Sequence, residues 1–260
     1  MSETTAPGVA GTEGPSETPA APGGTGAVNV PPAPLLATLL PRGVAAVESL
    51  GDPDRPPYLF PEEEERIARA VSLRRREFAT VRECARTALA RLGGPRVPLL
   101  PGQRGAPSWP GGFVGAMTHC RGYRGAAVTR AGSFAGVGID AEPNQPLREP
   151  GVLDMIALPE ERAALPGLTA RRPGVCWERL IFSAKESVYK VWFPLTGKWL
   201  DFEEARIAFD PEAGTFTATL LVPGPVVDGE RLDAFTGRWL ARSGLLITAI
   251  TVARRAPAGS

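Results

Sequence analysis

The strongest pattern in the chain runs from Trp177 to Val191. Trp177, Leu180, Ile181, Ala184, Val188 and Val191 recur at spacings of three and four, which predicts an amphipathic helix. A second helical period follows Ser72, a residue type suited to cap it. It runs through Phe78, Val81, Ala85, Leu89 and Leu92 and stops at Gly93-Gly94. Pro61 and the four glutamates after it mark a shorter helix start, because proline suits a first turn and acids face the positive end of the helix dipole. Ile67, Ala70 and Val71 would be its apolar stripe. Residues 153–164 read as helical with a break at Pro159.

The remaining apolar runs are short and read as strands. Leu36, Leu39 and Leu40, then residues 44–47, form a short helix or strand leading into a first strand. Residues 97–100 are extended, and residues 104–110 are a rigid loop carrying Arg104. Residues 113–118 predict a strand ending at His119-Cys120, and residues 125–128 and 134–139 a pair of strands around a turn at 130–133. After a loop at 143–150 and the long helix come strands at 202–209, 215–222, 232–240 and 245–253, with turns at 210–214 and 227–229. Helices, then strands, then a helix, then strands give an α+β fold with antiparallel sheets. Two similar halves joined near 143–150 are compatible with that order, although no internal repeat is visible.

Composition narrows the setting. Residues 1–34 are almost entirely Pro, Gly, Ala, Thr, Ser and Glu. They bury too little apolar surface to offset their ordering entropy and read as a disordered tail. A net charge of +1 gives no global basic field, so nucleic acid is not an expected partner. No apolar run approaches a membrane span, and nothing basic precedes Arg42 to begin a secretory signal. Three widely spaced cysteines fit no zinc or disulfide framework, which points to a reducing cytoplasm.

Two clusters carry the chemistry. Asp140-Ala141-Glu142 closes a glycine-rich strand and puts two carboxylates on one side of it. Lys185-Glu186, with Tyr189-Lys190 one turn later, lies on the long helix. Three carboxylates ringed by cations suit a hard divalent metal holding a phosphate-rich substrate. The bland readings are a turn aspartate beside a surface glutamate, and an ordinary helix-face pair in which Glu186 and Lys190 meet at i, i+4. Eight arginines between Arg66 and Arg91, against only Glu77 and Glu83, read either as a solvated face or as an anion site. His119, the single histidine, follows Thr118 and leaves phosphate binding open. Walker A, GxGxxG and GxSxG motifs are absent, which excludes P-loop, Rossmann and serine-hydrolase chemistry.

Taken together, these residues resemble the Sfp-type 4′-phosphopantetheinyl transferases, in particular the EntD-like branch found in actinobacteria. The resemblance rests on Gly138-Ile139-Asp140-Ala141-Glu142 and on Trp177, Ser183, Lys185, Glu186, Ser187 and Lys190. Branch-specific segments join them: 74–78 with 81–86, the 104–110 loop, and Thr118-His119-Cys120 with Gly122-Tyr123. It covers roughly residues 58–252. It implies two similar pseudo-two-fold-related α/β halves, each a helix packed on an antiparallel sheet. Residues 35–145 would be the coenzyme A-binding half, and 146–255 the half with the Lys-Glu helix. It further implies transfer of 4′-phosphopantetheine from coenzyme A to a serine of acyl or peptidyl carrier proteins, with release of 3′,5′-ADP, in fatty-acid, polyketide or non-ribosomal peptide biosynthesis.

On that resemblance Asp140, Glu142 and Glu186 would hold Mg2+, with Mn2+ an alternative. Glu186, Lys185 and His119 would be catalytic. Arg74, Arg82, Arg104, Thr118, His119, Lys185 and Lys190 would bind coenzyme A. The carrier would dock near 147–168 through Met155 and Ile156, unless Leu153, Ile156 and Leu158 are simply core. The resemblance also implies a monomer. Two rival readings remain: a non-catalytic coenzyme A or carrier-binding module, and a Mg2+-dependent nuclease or phosphohydrolase. The usual nuclease order ends Glu-x-Lys, whereas this chain has Lys-Glu.

Overall fold

Two antiparallel sheets of unequal size, each covered by one 20-residue helix, meet along a shared apolar face. The fold is a computed structural model that describes residues 34–149 and 151–255, so the tail read from residues 1–34 lies, apart from Pro34, outside it. No helix among the described residues is long and apolar enough to cross a membrane.

The first half contains β1 (Val44–Leu50), helices α1 (Pro61–Arg66) and α2 (Ser72–Arg91), and the hairpin β2 (Phe113–Cys120) and β3 (Tyr123–Arg130). Its sheet order is β1-β3-β2. Gly122, at φ +80°, supplies the left-handed residue that the tight β2–β3 turn needs. The second half follows from β4 (Phe134–Pro143) through α3 (Val152–Ile156), α4 (Pro159–Arg171) and α5 (Trp177–Thr196). Its strands are β5 (Ala205–Asp210), β6 (Thr215–Leu220), the small hairpin β7 (Val226–Val227) and β8 (Glu230–Arg231), then β9 (Ala234–Arg242) and β10 (Leu245–Ala253). The main sheet runs β4-β10-β9-β6-β5.

Three cores explain the patterns. On α5, Trp177, Leu180, Ala184 and Val188 pack on Phe216, Trp239, Leu246 and Ile250. On α2, Cys84, Ala85, Ala88 and Leu89 pack on Val47, Ala126 and Val128. Between the sheets, Ala116, Tyr123 and Ala127 meet Val137, Ile139, Leu245 and Ile247. β10 therefore buries both faces, which is why its sequence is continuously apolar instead of alternating.

The α+β class with helices on antiparallel sheets is as expected, but several local readings change. The segment 134–139 does not pair with β3; β4 crosses to the second sheet and pairs with β10, while β3 pairs with β1 and β2. The turn at 130–133 is thus a passage between sheets, which strand periodicity alone does not distinguish from a hairpin. Ser72 is not the cap of α2: Val71 holds that position without a side-chain hydrogen bond. α1 stops at Arg66, so Ile67 and Ala70 pack beyond it and Val71 is exposed. Residues 202–204 form a 3-10 turn before β5 begins.

Candidate active site

The site begins with a close approach of α5 to β4. A Cβ at Gly138 would lie 2.0 Å from the Ser187 carbonyl oxygen, so only glycine lets the helix backbone rest on the strand. Asp140 follows on the same strand face, beneath Lys190. Lys190 Nζ meets Asp140 Oδ1 at 2.7 Å, and Thr118 Oγ1 donates to the same oxygen at 3.2 Å. Thr118 in turn accepts from the Ala141 amide at 3.1 Å, so β2 supports Asp140 from the other half. Asp140 is 4% exposed, and its Oδ2 has no hydrogen-bond partner among the described residues. An unpaired buried carboxylate oxygen is costly and calls for a ligand.

Two more acids flank it. Glu142 pairs with Arg179 at 3.1 Å. Its carboxyl is pushed up to about 7, first by burial and then by the charge of Asp140, with Arg179 pulling it down. Glu186 is also raised, chiefly by burial; Lys190 opposes that shift and Asp140 adds to it. Among the described residues no three such side chains stand together as a ready metal-holding group, and Lys190 and Arg179 each occupy one acid's oxygen. The donor set nevertheless fits a hard divalent cation. It offers oxygen ligands only, one of them orphaned, in carboxyls that repel one another in a poorly solvated place.

Beside these acids opens a cavity of about 950 Å³ between α2, the 101–109 loop, β2 and α5. Thr118, His119, Glu186 and Lys190 line it together with Arg74, Arg82 and Arg104. Arg82 is buried; its Nε donates to the Leu99 carbonyl at 3.0 Å and its guanidinium lies 3.1 Å from the Phe78 ring centre. Burial pulls its pKa down to about 9, so it remains a cation at neutral pH. Arg74 is half exposed and meets His119 Nε2. Burial foremost, then Arg74, lowers the His119 pKa, so its neutral ring accepts from that arginine. Arg104 sits at the loop tip with φ +51°, its guanidinium 5.0 Å from the Trp199 ring centre. A left-handed arginine on a closed loop is a strained position of the kind found at ligand sites.

Lys185 is the expected site residue that the structure places away from the cavity. It is buried and does not line the cavity; Nζ meets Glu161 Oε2 at 2.8 Å and donates to the Phe202 carbonyl at 2.7 Å. Adjacent helical residues point in different directions, so when Glu186 faces the cavity Lys185 cannot. It stitches α5 to α4 and to the turn before β5. The arginine run also divides. Arg86 is spent on buried Glu63 at 3.0 Å, on Glu83 at 3.3 Å and on the Tyr58 carbonyl. Glu63, read from sequence as a dipole-facing acid, is instead a buried counter-ion that also accepts from the Leu99 and Phe60 amides. Of the two residues expected to anchor a carrier, Met155 is 73% exposed while Ile156 is core.

Sequence reasoning missed Arg179 and, although it set Tyr189 beside Lys190 in the helix cluster, gave Tyr189 no role in the site. Tyr189 lines the cavity with a buried hydroxyl that has no partner among the described residues. Its place one turn from Glu186 was the available signal.

Comparison with known proteins finds two family models that match successive stretches of the chain. A model of the 4′-phosphopantetheinyl transferase N-terminal domain matches residues 62–129, and one of the 4′-phosphopantetheinyl transferase superfamily matches 136–239. The 4′-phosphopantetheinyl transferase Svp of Streptomyces mobaraensis is 63% identical over 228 residues, covering 87% of this chain and 92% of its own length. PptT of Mycobacterium tuberculosis is 46% identical, covering 84% of this chain and 98% of its own length. Npt of Nocardia iowensis is 48% identical, covering 84% of this chain and its full length.

Proposed function

The chain belongs to the 4′-phosphopantetheinyl transferase superfamily, and on that premise we propose that it moves 4′-phosphopantetheine from coenzyme A to a serine of acyl or peptidyl carrier proteins, converting apo to holo carrier. The observation that carries the reading is the orphaned Asp140 oxygen, flanked by Glu142 and Glu186, beside a cavity whose lining includes Arg74, Arg82 and Arg104.

The cavity volume falls within the range of ligand pockets, about 300–1,000 Å³. Arg74, Arg82 and Arg104 are the clamp for the phosphate-bearing nucleotide end of coenzyme A, with Thr118 and His119 beside it. A neutral His119 with Arg74 on one nitrogen presents its other nitrogen to a phosphate oxygen. Mg2+, or Mn2+ in its place, held by Asp140, Glu142 and Glu186, would supply charge neutralisation on the pyrophosphate. Lys190 pairs with Asp140 at 2.7 Å and adds positive charge on the acid side of the cavity.

Glu186, which lines the cavity beside Lys190, would take the proton from the carrier serine. The serine oxygen forms a bond to the phosphorus that carries pantetheine. The bond from that phosphorus to the oxygen bridging the two phosphates breaks, and 3′,5′-ADP leaves with the electron pair. Positioning and electrostatics supply most of the acceleration, as in other phosphoryl transfers. Lys185 takes no part in these steps; it holds α5 in place.

Intact-mass spectrometry of an apo carrier incubated with this protein, coenzyme A and Mg2+ tests the reading. A gain of about 340 Da that disappears with EDTA is expected for metal-assisted transfer. No gain on acyl and peptidyl carriers, with coenzyme A binding retained, would replace transfer with simple binding.

A further inference from the structure

Each of the two acids on β4 is gripped by one oxygen. Asp140 Oδ1 takes Lys190 and Thr118, leaving Oδ2 buried and unpartnered. Glu142 repeats the arrangement: Oε2 takes Arg179 Nη1 at 3.1 Å, and Oε1 meets no donor or cation among the described residues. Arg179 lies seven residues before Glu186 and eleven before Lys190, which puts all three along one stripe of α5. Its guanidinium is itself anchored, with Nη2 donating to the Pro146 carbonyl at 2.8 Å and Nε to the Gln145 carbonyl at 3.2 Å.

We propose that Arg179 is a positioning residue for Glu142, fixing that carboxylate so that its second oxygen is presented to the divalent cation; the inference rests on the cation reading given above. A glutamate left alone would keep several rotamers and would have to be ordered when the cation binds. A planar guanidinium with five fixed donors can hold the carboxylate and two loop carbonyls at once, which a lysine cannot. Hydrogen-bond partners of metal-ligating side chains contribute 10- to 100-fold in metal affinity. Arg179 is not the sole support of the 144–147 loop. Asn144 donates to the Gly174 carbonyl at 2.8 Å and accepts from the Cys176 amide at 2.9 Å, while Glu178 accepts from the Leu147 amide at 2.8 Å. Loosening the loop and releasing Glu142 are therefore separable.

Mn2+ titration of the full chain, followed by electron paramagnetic resonance alongside the melting temperature, makes that separation. Arg179→Ala is expected to weaken Mn2+ binding about 10-fold or more, Arg179→Lys to recover part of the loss, and Glu178→Ala, which removes the acceptor of the Leu147 amide, to leave Mn2+ affinity unchanged although it loosens the same loop. Wild-type affinity in Arg179→Ala, or tighter binding, would overturn the proposal, the latter marking Arg179 as a competing countercharge. Equal losses in Glu178→Ala and Arg179→Ala would reduce the residue to a loop support and overturn it as well. If Arg179→Ala does not fold, Arg179→Lys decides, and undiminished Mn2+ affinity there counts against the proposal. Absence of Mn2+ binding by the wild-type protein would instead remove the cation reading itself, and the inference with it.

Discussion

Two of the places where the molecule buries charge treat it in opposite ways. In the first half, Glu63, Glu83 and Arg86 sit out of water with every carboxylate oxygen engaged: Arg86, the Leu99 and Phe60 amides, and Arg96 account for them all. At the β4–α5 seam, Asp140 keeps an orphaned oxygen, and Glu142 and Glu186 have raised pKa values. Satisfied buried charge ties elements together. Unsatisfied buried charge is held against its own preference by the fold around it and is available to a ligand. The arginine-rich α2 takes part in both, since Arg86 is consumed by architecture while Arg74 remains free enough to face the cavity.

The comparison is broken most forcefully on the architectural side. Arg86→Met strands Glu63 and Glu83, and Lys185→Met strands Glu161, whose oxygens otherwise meet Lys185 and the Leu158 and Ile207 amides. Each substitution should cost about 3–5 kcal/mol, seen as a lower midpoint in urea unfolding. For Lys185→Met the coenzyme A KM of the remaining folded protein should not change, and a large rise in KM would return Lys185 to the cavity.

Substitutions at the seam should do the reverse. Asp140→Ala or Glu186→Ala should reduce kcat about 100-fold or more while the unfolding midpoint holds or rises, because mutually repelling buried acids are removed. Near-normal turnover in Glu186→Ala would end its role as base. A smaller effect is expected at the cavity wall. Arg74→Ala should raise the coenzyme A KM about 10-fold with kcat nearly constant, the loss of one charge-assisted contact, and an unchanged KM would sink the clamp. The mildest test reads the single histidine by proton NMR. Its pKa should lie below 6.5 in the free protein, and Glu77→Gln should lower it further, since the Glu77 carboxylate is the neighbour that favours the protonated ring.

Much of this was legible in the order of residues. The α5 period follows from packing one helical face on a sheet, and Pro61, Gly93 and Pro159 mark boundaries because their backbones permit little else there. Asp140, Glu142, Glu186 and Lys190 were recognisable as a group from composition and spacing near apolar runs. Which sheet β4 joins was not legible, because a strand shows its two faces in sequence but not its neighbours. The role of Glu63 was hidden as well, since a glutamate in a first helical turn looks the same whether it faces solvent or a buried arginine 23 residues away.

Local pattern therefore determined the elements, the α+β class and the chemical vocabulary of the site, because periodicity and backbone restriction act over a few residues. Only the tertiary structure decided which charges are spent and which remain. It turned Lys185 toward Glu161 and Glu186 toward the cavity, and it paired Arg86 with Glu63 and Arg179 with Glu142. Those choices depend on segments 20 to 40 residues apart meeting in a low-dielectric interior, where a partner's position sets whether a charge is structural or reactive.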